Sequence, residues 1–278
     1  MAEPGSGGRI DVMTVELRPS SSYTLDELAE IFTKAYEGYF VPFVVDEAAM
    51  RFMVEAFSFD LAASRVALVD DEPVGLANLG VRGDRCWVGG VGVVPGRRRT
   101  GIGRALMTGL IDQARTLGLR QMTLEVMEQN EGAFRLYDEL GFETTRWVGI
   151  WSLPAAAQDG PAREVDHAVA HERIRALRRA AEPWQRADET LAYYQGHDPP
   201  PLGLELNDGA AVARAAAESV QLIQIAGDEP ACRALFESLR GRGPVSVLNL
   251  PADDPSTTAH ASLGAECRLR QREMALAL

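Results

Sequence analysis

The stretch Val93–Met107, VVPGRRRTGIGRALM, restricts the fold more than any other part of the chain. An apolar run, read as the end of a strand, stops at Pro95. Three arginines and Gly101-Ile102-Gly103 follow. Leu106, Leu110, Ala114 and Leu117 then recur on one side of a helix. A helix N-terminus carries four unpaired N–H groups and a partial positive charge, and phosphate groups settle there. Gly101 and Gly103 let the backbone approach an anion with no Cβ in the way. Arginine adds charge-assisted hydrogen bonds of about 1.5–3 kcal/mol each. Arg97, Arg98, Arg99 and Arg104 crowd four positive charges onto one turn of a chain whose net charge is −12. This predicts a pyrophosphate cradle, against the plainer reading of a solvated surface turn. Two familiar cradles are excluded. No Gly-Lys-Ser/Thr is present, and Gly101-x-Gly103 continues as Arg104-Ala105-Leu106, without the third glycine of a dinucleotide fingerprint.

The surroundings predict a mixed α/β chain. A short strand is expected at Ile10–Leu17. A helix opens at Thr24 with a capping box to Glu27 and places Leu25, Leu28, Ala29 and Phe32 at helical spacing. Met50, Met53, Val54 and Phe57 mark a second helix. Three strands follow between Ser64 and Val94, joined by turns at Asp70-Asp71-Glu72 and Arg82-Gly83-Asp84. Beyond the glycine turn come the helix, an alternating strand at Gln121–Val126, a helix ended by Gly141, and a strand through Trp147 and Trp151.

Acidity argues against nucleic acid and anionic membranes as partners. No run approaches the roughly 20 apolar residues of a membrane span, and the opening residues lack an apolar run of signal-peptide length. The three cysteines show neither zinc nor disulfide spacing, and the four histidines show no metal spacing, so no metal is expected and the cytoplasm is the natural compartment.

These motifs resemble the GNAT superfamily of N-acetyltransferases. The hallmark Gln/Arg-x-x-Gly-x-Gly/Ala stands here as Arg98-Arg99-Thr100-Gly101-Ile102-Gly103, after a strand ending Val93-Val94-Pro95. Asn130, Ala133, Leu136, Tyr137, Gly141 and Phe142 match the downstream Asn-x-x-Ala…Leu-Tyr-x-x-x-Gly-Phe. The resemblance covers residues 9–153. It implies a twisted mixed sheet flanked by helices and acetyl-CoA as cosubstrate. The amides from Arg98 to Arg104 would hold the pyrophosphate. The strand through Val93 would splay from Gln121–Val126, with main-chain groups of Val93 and Val94 pairing with the pantetheine arm. Asn130 would contact that arm, though it also reads as a plain helix N-cap. Tyr137 would be the general acid by the sulfur, though it shares an apolar face and also reads as core. Tyr36, Tyr39 and Phe43 lie where the family builds its acceptor site.

Direct attack of an amine on a thioester needs an acid for a thiolate of solution pKa near ~8.5. It also needs a base, since an amine of pKa ~10.4 is neutral at pH 7 only at a cost of roughly 4.6 kcal/mol. Glu125 is the candidate base, against its reading as a solvated or salt-bridged strand residue. The implied acceptor is the primary amine of a small molecule or peptide. The alternatives are a peptide or protein N-acetyltransferase and a CoA-binding sensor without turnover. Homodimers are common in the family.

After a linker at 154–164, the pattern returns at 165–278 in weaker form. GLELNDG echoes ALVDDEP, CRALFESL echoes GRALMTGL, and LGAE echoes LGFE. The period of roughly 125 residues suggests a duplication. Aligning the Arg-Ala-Leu triplets puts QIAGDEPAC opposite the cradle, so Asp228 and Glu229 would repel a phosphate. Counting back from the shared Leu-Gly sets His260 opposite Tyr137 and Asp253 opposite Asn130. The expectation is a catalytic first unit and a smaller, degenerate second unit without CoA.

Overall fold

The computed structural model describes residues 14–157, 160–216 and 219–278. The first half runs β1 (Glu16–Pro19), α1 (Leu25–Ala35), α2 (Glu47–Ala56), β2 (Arg65–Val69), β3 (Glu72–Arg82), β4 (Arg85–Val93), α3 (Ile102–Thr116), β5 (Gln121–Met127), α4 (Glu131–Glu139) and β6 (Glu143–Leu153). The second half is β7 (Arg163–Val165), α5 (His167–Leu177), α6 (Asp188–Gln195), β8 (Leu202–Leu206), β9 (Gly209–Ala216), β10 (Ser219–Gly227), α7 (Glu229–Arg240), β11 (Val245–Pro251), α8 (Pro255–Ser262) and β12 (Glu266–Ala277). The order strand, two helices, three strands, helix, strand, helix, strand occurs twice, as the echoes suggested. The matching hairpin turns share left-handed backbone at Asp70, Asp71 and Asn207. Among the described residues no helix is long and apolar enough to cross a membrane.

Local chemistry explains the elements that shape the site. The Thr24–Glu27 capping box starts α1, which buries Leu28, Ala29, Ile31, Phe32 and Ala35 on one face. Ile102, Leu106, Met107, Leu110 and Ala114 of α3 pack on the opposite face of the sheet. Two expectations shift. The first strand begins later than Ile10–Leu17 implied, at Glu16, where it pairs with β2; Ile10–Met13 lie outside the described residues. The helix of Tyr23–Phe40 stops at Ala35, because Arg98 takes the carbonyls of Ala35 and Glu37 and Gly38 turns left-handed.

All twelve strands form one mixed sheet in the order β1-β2-β3-β4-β5-β12-β6-β11-β10-β9-β8-β7. Among the described residues, only β4/β5 and β10/β11 are parallel. The final strands of the two halves are exchanged: β12 lies between β5 and β6, while β6 pairs with β11 of the second half.

A second junction is polar. Arg82, only 6% exposed, donates to the carbonyls of Ala56 and Trp184 and to the Thr190 hydroxyl. Its guanidinium also lies 4.3 Å from the Trp184 ring centroid, and burial pulls its pKa down to about 10. The Trp184 indole donates in turn to the Phe57 carbonyl at 2.9 Å. Arg82→Met would retain bulk but remove the charged donor, leaving the Ala56 and Trp184 carbonyls to share the Thr190 hydroxyl. It is expected to destabilise the protein by about 3 kcal/mol, read from the midpoint of urea unfolding.

Candidate active site

Strands β4 and β5 pair over only three positions, Arg85↔Gln121, Cys86↔Met122 and Trp87↔Thr123, and then part. A β-bulge on β4 accompanies the opening. Gly89 and Gly90 together stand opposite the single Asn78 of β3. Gly90 has φ +139°, and a Cβ there would meet the Tyr36 hydroxyl at 2.8 Å. This position requires glycine.

At the end of β4 the chain turns into α3. Gly101, at φ +92°, is the N-cap, and no side chain caps the first turn. Ala105 is the first N–H to close onto a helix carbonyl, that of Gly101 at 3.0 Å. The earlier amides therefore face outward, and a Cβ at Gly101 would meet nothing within 4 Å. The arginines divide. Arg104 pairs with Glu139 of α4. Arg98 donates to the carbonyls of Val93, at 2.9 Å, and Ala35. Its side chain is a clamp between β4 and α1, not a phosphate ligand. Among the described residues Arg97 and Arg99 form no ion pair, and both stay at the loop beside Thr100, Ile102 and Gly103. Of the main-chain groups expected to pair with the pantetheine arm, the Val93 carbonyl accepts from Arg98 and the Val94 N–H donates to Val74. A pantetheine arm would have to pair with β4 groups that β5 leaves free beyond Trp87.

The opening leads into a cavity of about 450 Å³. Tyr36, Tyr39, Phe43, Glu125, Asn130 and Tyr137 all line it. Asn130 does two things at once: its carbonyl oxygen accepts from the Ala133 N–H and caps α4, and its amide donates to the Tyr39 hydroxyl at 3.3 Å. Burial, with Tyr39 nearby, holds the Tyr137 phenol above the usual tyrosine range, so it stays protonated. Glu125 is no solvated strand residue. Its Oε2 accepts from Trp87 Nε1 at 2.8 Å and from Gln185 Nε2 at 3.1 Å. Burial, then Glu273 directly across on β12, raises its pKa to about 7. Arg146 binds Glu273 through both carboxylate oxygens at 3.0 Å and moderates that repulsion.

Sequence reasoning placed Phe57 on a helix face but missed Trp87 of the first half and Gln185, Asn249 and Gln271 of the second, all of which line the cavity. No local pattern marks these four, because strand exchange and long-range packing deliver them.

Residues 25–142 match the acetyltransferase (GNAT) family. The first half carries a GNAT domain. A 58-residue stretch is 51% identical to a mycothiol acetyltransferase of Thermobispora bispora, covering 21% of this chain and 19% of that relative's length. The whole fold is similar to a GCN5-related N-acetyltransferase from Sphaerobacter thermophilus, with a TM-score of 0.71 and 15% identity over 95% of each chain. It is also similar to a tandem GNAT protein from the clavulanic acid biosynthesis pathway, with a TM-score of 0.63 and 16% identity over 95% of this chain and 98% of the other.

The second GNAT-like unit differs at each corresponding point. The Asp228 carboxylate accepts from Ala231 N–H at 2.9 Å, and Pro230 occupies the first turn of α7. A negative charge therefore sits where the GNAT cradle leaves N–H groups open. His260 is fully buried, lies stacked 4.2 Å from Phe236, and burial lowers its pKa to about 4. Asp254, not Asp253, caps α8, one position from the expected counterpart of Asn130 because α8 begins one residue later relative to the shared Leu-Gly.

Two measurements check this site. Gly101→Asp should abolish acetyl-CoA binding by calorimetry while lowering the melting temperature only modestly, through the strain of a side chain at φ +92°. Arg98→Ala should lower the melting temperature, because α1 and β4 lose their clamp. Glu125 also sets a pH signature. Its folded pKa lies above the unfolded value, so folding takes up a proton, and ionising the group costs stability as pH rises through about 7. Glu125→Gln should raise the melting temperature at pH 8 and change it little below pH 4, where the carboxyl is protonated in both the folded and the unfolded chain.

Proposed function

We propose that the first half transfers the acetyl group of acetyl-CoA to a primary amine by direct attack. One observation carries the reading: an uncapped helix N-terminus ends the very strand that parts from its neighbour over a cavity holding a carboxylate of pKa about 7 and a buried phenol. The residues present fit acetyl-CoA, since the left-handed Gly101 leaves the cradle free of any Cβ obstruction. The backbone from Arg99 to Arg104, with the Arg97 and Arg99 guanidiniums, would hold the pyrophosphate. Asn130 would face the pantetheine arm. When bound, acetyl-CoA supplies an acetyl group activated as a thioester.

Each proton then has a holder. Glu125, ionised above pH 7, takes one from the incoming ammonium, directly or through water, and frees the nitrogen lone pair. As the new C–N bond forms and the C–S bond breaks, Tyr137 can give its phenolic proton to the departing sulfur, and the second proton shed by the acylated nitrogen restores the phenol and leaves a neutral amide. The separate acid and base favour turnover over a purely CoA-sensing role, which would need neither.

Calorimetric titration with acetyl-CoA is expected to give one site per chain; two sites would contradict the degeneracy of the second unit. Tyr137→Phe should lower kcat by about 10²-fold or more with acetyl-CoA affinity retained. The plot of kcat/KM against pH should show an inflection near 7 that vanishes in Glu125→Gln.

A further inference from the structure

We infer that the acceptor is a small primary monoamine with an apolar body and no carboxylate or phosphate, its ammonium seated between Glu125 of the first half and Gln185 of the second. This rests on the acetyltransferase reading and narrows it. Among the described residues lining the cavity, Glu125 is the one charged side chain; no lysine, arginine or histidine joins it. A substrate carboxylate would enter without a counter-ion and close to a like charge. A polyamine would find one carboxylate for several ammonium groups.

Gln185, also on the wall, spends an amide N–H on Glu125 and so brings the second half against the carboxylate that an ammonium would pair with. Two other polar pairs on the wall are already joined, Gln271 with Asn249 at 2.7 Å and Asn130 with Tyr39 at 3.3 Å. The remaining wall is aromatic and aliphatic: Tyr36, Phe43, Phe57 and Trp87, with Ile150 and Leu269 from β6 and β12. Aromatic faces tolerate a cation and favour an apolar body. The cavity must also admit the end of the acyl-CoA arm, so the acceptor is small.

Gln185 acts as a positioning residue for Glu125 as well as a contact. Its amide stabilises the ionised carboxylate, so removing it should raise the carboxylate pKa.

The test uses the full chain and four probes: phenethylamine, isopentylamine, phenylalanine and spermidine. Both monoamines should be acetylated, with kcat/KM about 100-fold above phenylalanine, which differs from phenethylamine only by its carboxylate. Phenethylamine should also bind by calorimetry without acetyl-CoA. Gln185→Leu should raise KM for phenethylamine about tenfold, leave acetyl-CoA binding intact, and move the acid limb of the pH profile upward. The assignment is overturned if phenylalanine or spermidine is the better substrate, or if neither monoamine binds or reacts. Failure to bind acetyl-CoA instead strikes the acetyltransferase reading, and the titration with amine alone still decides whether the seat exists.

Discussion

Strands β4 and β5 hold together for three residues and then let go. Parallel strands normally satisfy each other's main chain along their whole shared length, so an opening of this kind must be maintained from outside. The Gly89-Gly90 bulge bends β4, Arg98 pulls its last carbonyl toward α1, and β12 fixes the far edge of β5. The uncapped start of α3 and the Glu125 carboxylate are useful only because these supports keep the gap open between them.

The exchange of β6 and β12 makes the second half part of that support. Glu273 of β12 sits opposite Glu125, and Arg146 of β6 sits opposite Glu273. Across β5, β12 and β6 the charges therefore run negative, negative, positive. The middle carboxylate is paired on one side and pushes its neighbour's pKa up on the other. The second GNAT-like unit has its own helix start capped by Asp228 and its His260 buried against Phe236. Its contribution to the first site comes through strands and Gln185, with no cradle of its own.

Local features were legible in the sequence. The Thr24–Glu27 box, the glycine turn before α3, the Asn130 cap and the repeated element order all depend on residues close in the chain, and each formed where the pattern put it. Arg98 shows the limit of such reading. Its motif position suggested an anion ligand, yet three main-chain carbonyls, two of them more than fifty residues away in the chain, claim the guanidinium. Glu125 shows another limit. Its residue type and strand were readable, but its raised pKa comes from burial and from Glu273, which only the folded sheet brings near, while the hydrogen bonds from Trp87 and Gln185 act the other way.

The position of β12 has a consequence for how the protein is born. Residues of β5 leave the ribosome long before their partner strand, which is the last in chain order. At typical translation speeds the delay is on the order of ten seconds. Throughout it the nascent chain carries an unclosed β5 edge, the kind of edge that invites mispairing. The cradle can form early, being local, but the wall behind Glu125 cannot exist until β12 arrives. A chain cut short of β12 would therefore have the glycine turn and α3 but no closed cavity.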